Sequence, residues 1–126
     1  MRAVIVAALL ATVGIPLRQA YADNFANVRY DAATDQLVVT MRYRGTNPNH
    51  NFSLRWGECK SPSTDAQSEI VAEVLDDQWQ DKAEHGYKKT TRFDLTGVTC
   101  RPAALTLRTA PRFYYTIALP ASPTSR

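Results

Sequence analysis

The sequence predicts an all-β fold, an antiparallel β-sandwich of about seven strands. Apolar and polar residues alternate over short segments, which is the pattern of strands that bury one face. Stretches rich in Gly, Pro, Asn and Asp separate these segments, as tight turns require. No long segment has the spacing of an amphipathic helix, and this excludes a fold built from packed helices.

The first 22 residues predict a cleaved signal peptide. A basic residue precedes an apolar run over residues 3–17, and residues 20–22 (Ala-Tyr-Ala) have the small residues that signal peptidase requires. Residues 23–126 are then expected to form a single β-sandwich domain with a short disordered C-terminal tail. Cleavage near Ala22 places the mature protein in the periplasm or outside the cell. No second apolar segment is long enough to span a membrane.

Three segments show the alternation most clearly. Residues 36–44, 51–56 and 112–119 each carry apolar or aromatic side chains at every second position. Each segment therefore predicts a strand with one buried face. In the first of them Arg42 and Arg44 fall on the outer face.

Four further segments have weaker alternation and complete the set of strands. They are residues 24–30, 69–75, 87–95 and 104–109. Short alternating strands separated by turns are typical of a sandwich that is immunoglobulin-like in the loose architectural sense.

One short helical turn is expected between the fourth and fifth strands. Asp77 is placed to cap residues 78–85, with Gln80 in the capping-box position and Gly86 as the left-handed stop. Trp79 would then pack this turn against the edge of the sandwich, or alternatively contact a partner.

Cys59 and Cys100 predict a disulfide. The number of cysteines is even, and an exported protein meets an oxidising compartment. A redox or metal-ligand pair is disfavoured because there is no Cys-x-x-Cys spacing. Without free thiolates, His50 and Met41 do not complete a soft metal site, so no metal is expected.

The sequence lacks the motifs of common catalytic centres. It contains two histidines, His50 and His85, but no serine elbow, zinc-binding helix or phosphate-cradling glycine loop. We therefore expect no catalytic residues, no cofactor and no enzymatic activity.

The charge distribution excludes a strongly cationic nucleic-acid binder. Two of the 15 Lys and Arg residues leave with the signal peptide, so the rest nearly balance the 12 acidic residues. Acidic residues concentrate in residues 58–84, and the group around residues 76–84 is interpreted as a helix start with a solvated face, because it lacks the ligand spacing of a calcium loop.

Several arginines fall on or beside outward strand positions and could form a strip on one face. They are Arg42, Arg44, Arg55, Arg92, Arg108 and Arg112. Such a strip would attract an acidic protein or another acidic macromolecule. The alternative is that these arginines pair across strands with the acidic segment and have no partner outside the chain.

The loop of residues 45–51 is the first candidate binding surface. It contains Asn47, Asn49 and His50, and His50 is expected to be solvated. Loops at the end of a rigid sandwich are where such folds usually bind.

Arg108, Arg112 and Tyr114 form the second candidate surface. Tyr114 should face outward between two arginines, a combination favoured at protein interfaces. The alternative is a hairpin whose last strand carries a tolerated surface aromatic residue.

These observations predict a small exported, non-enzymatic binding or inhibitor module that contacts another envelope or extracellular macromolecule. Two alternatives stay open. An accessory or assembly subunit would dock by adding an edge strand and would co-purify with a larger assembly. A periplasmic carrier of a small ligand or metal would retain its cargo through purification.

Overall fold

The computed structural model describes residues 24–61, 67–81, 83, 85–109 and 113–123. The predicted signal peptide lies outside the described residues, as do Arg112 and the last residues of the predicted tail. No helix in the described ranges has the length and apolar character needed to cross a membrane.

The described ranges contain seven strands, and each corresponds to a predicted one. They are β1 (Asn24–Asp31), β2 (Gln36–Arg44), β3 (Phe52–Trp56), β4 (Ser68–Asp76), β5 (Gly86–Asp94), β6 (Ala103–Arg108) and β7 (Tyr114–Leu119). The agreement is close because burial of one face favours alternation in sequence, which is clear in the segments of β2, β3 and β7 and weaker in the other four.

The strands form two sheets that enclose one apolar core. The three-stranded sheet has the order β1-β2-β5, and the four-stranded sheet has the order β3-β4-β6-β7. Leu37, Val39 and Met41 from the first sheet are fully buried, as are Leu105 and Leu107 from the second. The predicted all-β sandwich is therefore confirmed.

The prediction that all strands pair antiparallel is wrong at one place. β4 and β6 pair in parallel, with Ile70 opposite Leu105. Between them the chain runs back through β5, which lies in the other sheet. β6 therefore starts at the same end of the sandwich as β4 and runs in the same direction. Alternation reports which face of a strand is buried but not which strand lies beside it.

The predicted helical turn is also absent. Residues 77–80 form a turn, and the described residues contain no helix. Instead of capping a helix, the Asp77 carboxylate accepts a hydrogen bond from the backbone N–H of Asn51 at 2.8 Å. The segment is held by contacts with a distant loop and by a backbone hydrogen bond of its own, from the Asp81 N–H to the Gln78 carbonyl at 2.9 Å.

The predicted Cys59–Cys100 disulfide is confirmed. It joins the segment after β3 to the segment before β6, with the two Cα atoms 5.6 Å apart and a sequence separation of 41. A structural disulfide is typical of proteins that reside in an oxidising compartment.

Candidate functional site

The candidate site lies at the end of the sandwich where β2 and β4 finish, here called the loop end. It consists of the loop after β2, residues 45–51, and the turn after β4, residues 77–81. These two segments, the loop–turn pair, are separated in sequence by β3 and β4 and meet through side-chain contacts.

His50 lies at the centre of the loop–turn pair and is fully buried, with 0% of its surface exposed. Its Nδ1 is 2.7 Å from Asp76 Oδ2, and its Nε2 is 2.9 Å from Asp81 Oδ2. A protonated imidazole donates through both nitrogens, so it can bond both carboxylates at once. The prediction of a solvated loop histidine is wrong, because the fold encloses the ring between two acids.

The acids around His50 are largely buried as well. The side chains of Asp76 and Asp81 are only 4% and 14% exposed. The interpretation of this acidic group as a solvated face is therefore wrong for these two residues. Each of the two carboxylates contacts one nitrogen of the ring. Within the described ranges, no group of three or more His, Cys, Asp or Glu side chains is placed to hold a metal ion.

The electrostatics of the site favour the protonated ring. Burial of His50 opposes the charged form, but hydrogen bonds and charge attraction from Asp76 and Asp81 outweigh it and raise the pKa of His50 above its ordinary value. The hydrogen bond from His50 lowers the pKa of Asp81 in turn. At a given pH the ring is therefore protonated to a greater extent than that of an unperturbed histidine.

Packing around the ring leaves little room for movement. The ring of Tyr43 lies 4.8 Å from that of His50, centroid to centroid, and its hydroxyl donates to the Pro48 carbonyl at 2.7 Å. Lys89 Nζ donates to the His50 carbonyl at 2.7 Å. A Cβ at Gly45 would lie 2.5 Å from His50 Nε2, so glycine is required where the chain passes the ring.

Further hydrogen bonds join the loop to the turn. The Asp77 N–H donates to the Asn51 carbonyl at 3.0 Å, and Gln78 Nε2 donates to the Asn49 carbonyl at 2.9 Å. Asn47 Nδ2 donates to Gln78 Oε1 at 3.0 Å. The Asn47 side chain is thus used inside the pair, whereas Asn49 is exposed. The loop and the turn form one preorganised surface.

Trp79 is the large side chain that this surface presents to solvent. It lies within the turn and is 57% exposed. Both flanks of the turn are tied to the loop, Gln78 on one side and Asp81 on the other. The expectation that Trp79 packs a helical turn against the edge of the sandwich is wrong for the helix, since residues 77–80 form a turn, and more than half of the Trp79 side chain is exposed.

A second buried ion pair lies at the opposite end of the sandwich. Arg101 donates to both Asp35 oxygens, at 2.7 and 3.0 Å, and the two side chains are only 1% and 8% exposed. Tyr30 donates its hydroxyl to Asp35 at 2.8 Å. The hydrogen bond from Arg101 lowers the pKa of Asp35, while burial raises the pKa of Tyr30. This bidentate pair fixes the geometry beside the disulfide.

The arginines predicted to form a strip differ in whether they make ion pairs within the described ranges. Glu73 accepts hydrogen bonds from both Arg55 and Arg108, and Arg92 contacts Asp31 at 2.9 Å. For Arg55 and Arg108 the interpretation as cross-strand pairs with the acidic segment is confirmed, whereas Arg92 pairs with Asp31, which lies outside that segment. Arg112 lies outside the described residues.

Arg42 and Arg44 differ from the paired arginines. Both are exposed on the outer face of β2, and neither makes an ion pair within the described ranges. The strip is thus divided into a neutralised part and a part that keeps its positive charge.

Tyr114 faces outward as predicted and is 60% exposed. It lies directly opposite Arg108 in the register of β6 and β7. The structure therefore brings these two predicted residues together, on the outer face of the four-stranded sheet and away from His50.

No family model, curated protein or solved structure matches this chain. Its own side chains and their geometry are therefore the basis on which a function is inferred.

Proposed function

We propose that this chain is a small non-enzymatic binding module, exported to the periplasm or secreted, that contacts another envelope or extracellular macromolecule through its loop–turn pair. One observation carries the proposal. Trp79 is 57% exposed on a turn that buried and polar side chains hold in place. An exposed tryptophan on an ordered, hydrogen-bonded turn is typical of a residue that anchors a protein interface.

The energetics of association support this role. Tryptophan is among the residues that contribute most when an interface forms, and its truncation at such a site commonly costs 2 kcal/mol or more. A surface that is already ordered loses less conformational entropy on binding than a mobile loop does. The hydrogen bonds of Asn47 and Gln78 and the His50 centre provide this order before a partner arrives.

The state of His50 supports a non-enzymatic role. A general base needs a free nitrogen within reach of a substrate. Both nitrogens of His50 are bonded to carboxylates, and the ring is buried. Its contacts hold the loop and the turn together and leave no nitrogen facing solvent.

Export and the finer fold class belong to the same proposal. The disulfide and the predicted signal peptide both favour an oxidising compartment. The order β1-β2-β5 agrees with the A-B-E order of immunoglobulin-like sandwiches, whereas β3 lies beside β4 and not beside β6. We infer a resemblance to those sandwiches in architecture, with a rearranged second sheet.

The test is affinity capture from a native envelope extract, with oxidised residues 23–126 as bait and quantitative mass spectrometry as the readout. Trp79→Ala is expected to remove the captured partner. Tyr114→Ala, another exposed aromatic truncation at the same end of the sandwich, is expected to retain it. Thermal unfolding of each bait checks that the fold is unchanged. A partner that binds the Trp79→Ala bait as well as the original chain would contradict the proposal.

Edge-strand docking is a second candidate function, favoured by one observation. β7 is the last strand of its sheet, and Tyr114, Tyr115 and Thr116 at its start are all exposed. A strand at the edge of a sheet can accept a strand from another chain. Loss of capture with Tyr114→Ala and not with Trp79→Ala, together with co-purification of one defined assembly, would favour this function over the first.

A further inference from the structure

We propose that the outer face of β2 and β5 at the loop end binds an extended acidic segment of a partner protein through Arg42, Arg44 and Lys88. These three residues are called the cationic patch. The patch is separate from Trp79 and the loop–turn pair, and its role does not depend on theirs.

The strand register places the three cations together. Arg42 lies directly opposite Lys88, and Arg44 lies opposite Gly86. Asn24 is the residue opposite Arg42 on the other side, in β1. Like charges directly opposite each other on a sheet are unfavourable. A bound anion would therefore reduce the repulsion between Arg42 and Lys88.

No carboxylate within the described ranges relieves this charge. Arg42, Arg44 and Lys88 are exposed, and none makes an ion pair there. On the same face of the sheet, Arg92 pairs with Asp31 toward the other end. The positive charge is thus concentrated at the loop end and is available to a ligand.

The patch borders a groove of about 440 Å³, which is also lined by Tyr43 and Tyr87. Gly86 contributes to the open space, because a Cβ built on it would meet no atom within 4 Å. The groove follows the ends of two strands and is large enough for several residues of an extended chain, more than a single inorganic anion would fill.

The spacing of the cations favours a peptide. Alternate residues of any extended strand lie roughly 6.6–6.8 Å apart, and this applies both to Arg42 and Arg44 on β2 and to every second residue of an extended ligand. Carboxylates at alternate positions of an acidic segment can therefore meet the two guanidinium groups one to one. Lys88 lies beside Arg42 to complete the contact.

A lipid surface or a sugar polymer fits this face less well. The large exposed apolar side chains of the described ranges lie elsewhere, on β4, on β7 and at Trp79, so the patch has none to insert into a bilayer. Tyr43 is buried, and its ring lies 5.7 Å from that of Tyr87, centroid to centroid. This arrangement does not offer a flat exposed ring for stacking on a sugar.

The test uses a short capped peptide of alternating glutamate and serine, with a fluorophore at one end for anisotropy titration. The matched peptide has the same composition, with its glutamates grouped in one block. We expect the alternating peptide to bind the mature chain more tightly than the blocked one. Added salt should weaken the binding, because the contacts are between exposed charges.

Two glycine variants with the same charge change test the location. Gly86→Glu places a carboxylate opposite Arg44 in open space, and we expect it to weaken binding about twofold to fivefold. Gly97→Glu, at the other end of the molecule, also meets no atom within 4 Å of its Cβ and should bind as the original chain does. Lys88→Gln removes the like-charge pair, so it should keep the fold while weakening binding.

Several results would overturn the proposal. Equal weakening by Gly86→Glu and Gly97→Glu would show that only net charge matters. Equal affinity for the two peptides would refute the spacing. Binding to phosphatidylglycerol vesicles or to a sulfated polysaccharide without binding to the alternating peptide would assign the patch to another class of ligand. Trp79→Ala should leave peptide binding unchanged, so this inference and the proposed function can fail independently.

Discussion

Replacing His50 with alanine should be among the most damaging single changes to the fold. It removes the shared hydrogen-bond donor of Asp76 and Asp81, whose side chains are only 4% and 14% exposed. Breaking a buried ion pair by deleting one partner typically costs about 3–5 kcal/mol. We expect about 3 kcal/mol, the lower end of that range, because Asp81 keeps some contact with water. The total free energy of unfolding of a protein of this size is about 5–15 kcal/mol.

The assay is urea unfolding of the mature chain with its disulfide intact. His85→Ala is the matched control, since His85 is exposed and its loss should change the free energy of unfolding by no more than about 0.5 kcal/mol. Equal effects of the two substitutions would refute the assignment of His50 as the centre that joins the loop to the turn.

The stabilisation by His50 should also depend on pH. The pKa of His50 is raised in the folded chain, so its contribution is complete below the unfolded value near 6.5 and is lost as the pH rises through the folded pKa. The pKa of Asp81 is lowered, so its contribution is present above 3.8 and is lost as the pH falls through its folded value. The stability difference between the original chain and His50→Ala should therefore decrease as the pH rises from 6.5 through the folded pKa of His50. A difference that does not decrease as the pH is raised above 6.5 would contradict this account.

Three further predictions concern stability. Replacing both cysteines with serine should lower the free energy of unfolding by about 4 kcal/mol, since the disulfide spans a separation of 41 residues, and urea unfolding with and without reductant checks this. Gly45→Ala should destabilise the fold by about 1–3 kcal/mol because its Cβ would collide with His50. Gly86→Ala, whose Cβ lies in open space, should stabilise the fold by about 0.4–1 kcal/mol. Equal melting temperatures for the two variants and the original chain would contradict both expectations. Arg101→Met should cost about 3–5 kcal/mol by leaving the Asp35 carboxylate without its cation. Asp35→Asn in the same chain should recover part of the loss in thermal unfolding, because asparagine removes the charge, tolerates the left-handed backbone of this position (φ 54°) and still accepts the Tyr30 hydrogen bond.

The strands were predictable from the sequence because their burial is a local property. β2 carries apolar or aromatic side chains at every second position from Leu37 to Tyr43, although Val38 on the other face is also buried, and its predicted and observed bounds agree. The disulfide was predictable from an even cysteine count and a predicted export signal. The parallel pairing of β4 and β6 was not, because it depends on which sheet the chain enters between them, and alternation does not encode this.

The site could be predicted only in part. The turn-forming residues of the loop 45–51 indicate a candidate surface. The residues near His50 in the sequence do not indicate that it contacts two acids, which lie 26 and 31 residues away. The pairing of Arg101 with Asp35 spans 66 residues and has no local signal either. From sequence alone, a charged residue in a loop is expected to be solvated. The folded structure is needed to show that such residues pair with each other.

The proposed binding surface is tested most directly by amide hydrogen exchange of the mature chain, alone and saturated with its captured partner. The partner should slow exchange in residues 45–51 and 77–81 and leave β6 and β7 unchanged. Protection confined to β6 and β7, around Arg108 and Tyr114, would contradict the account and move the interface to the four-stranded sheet.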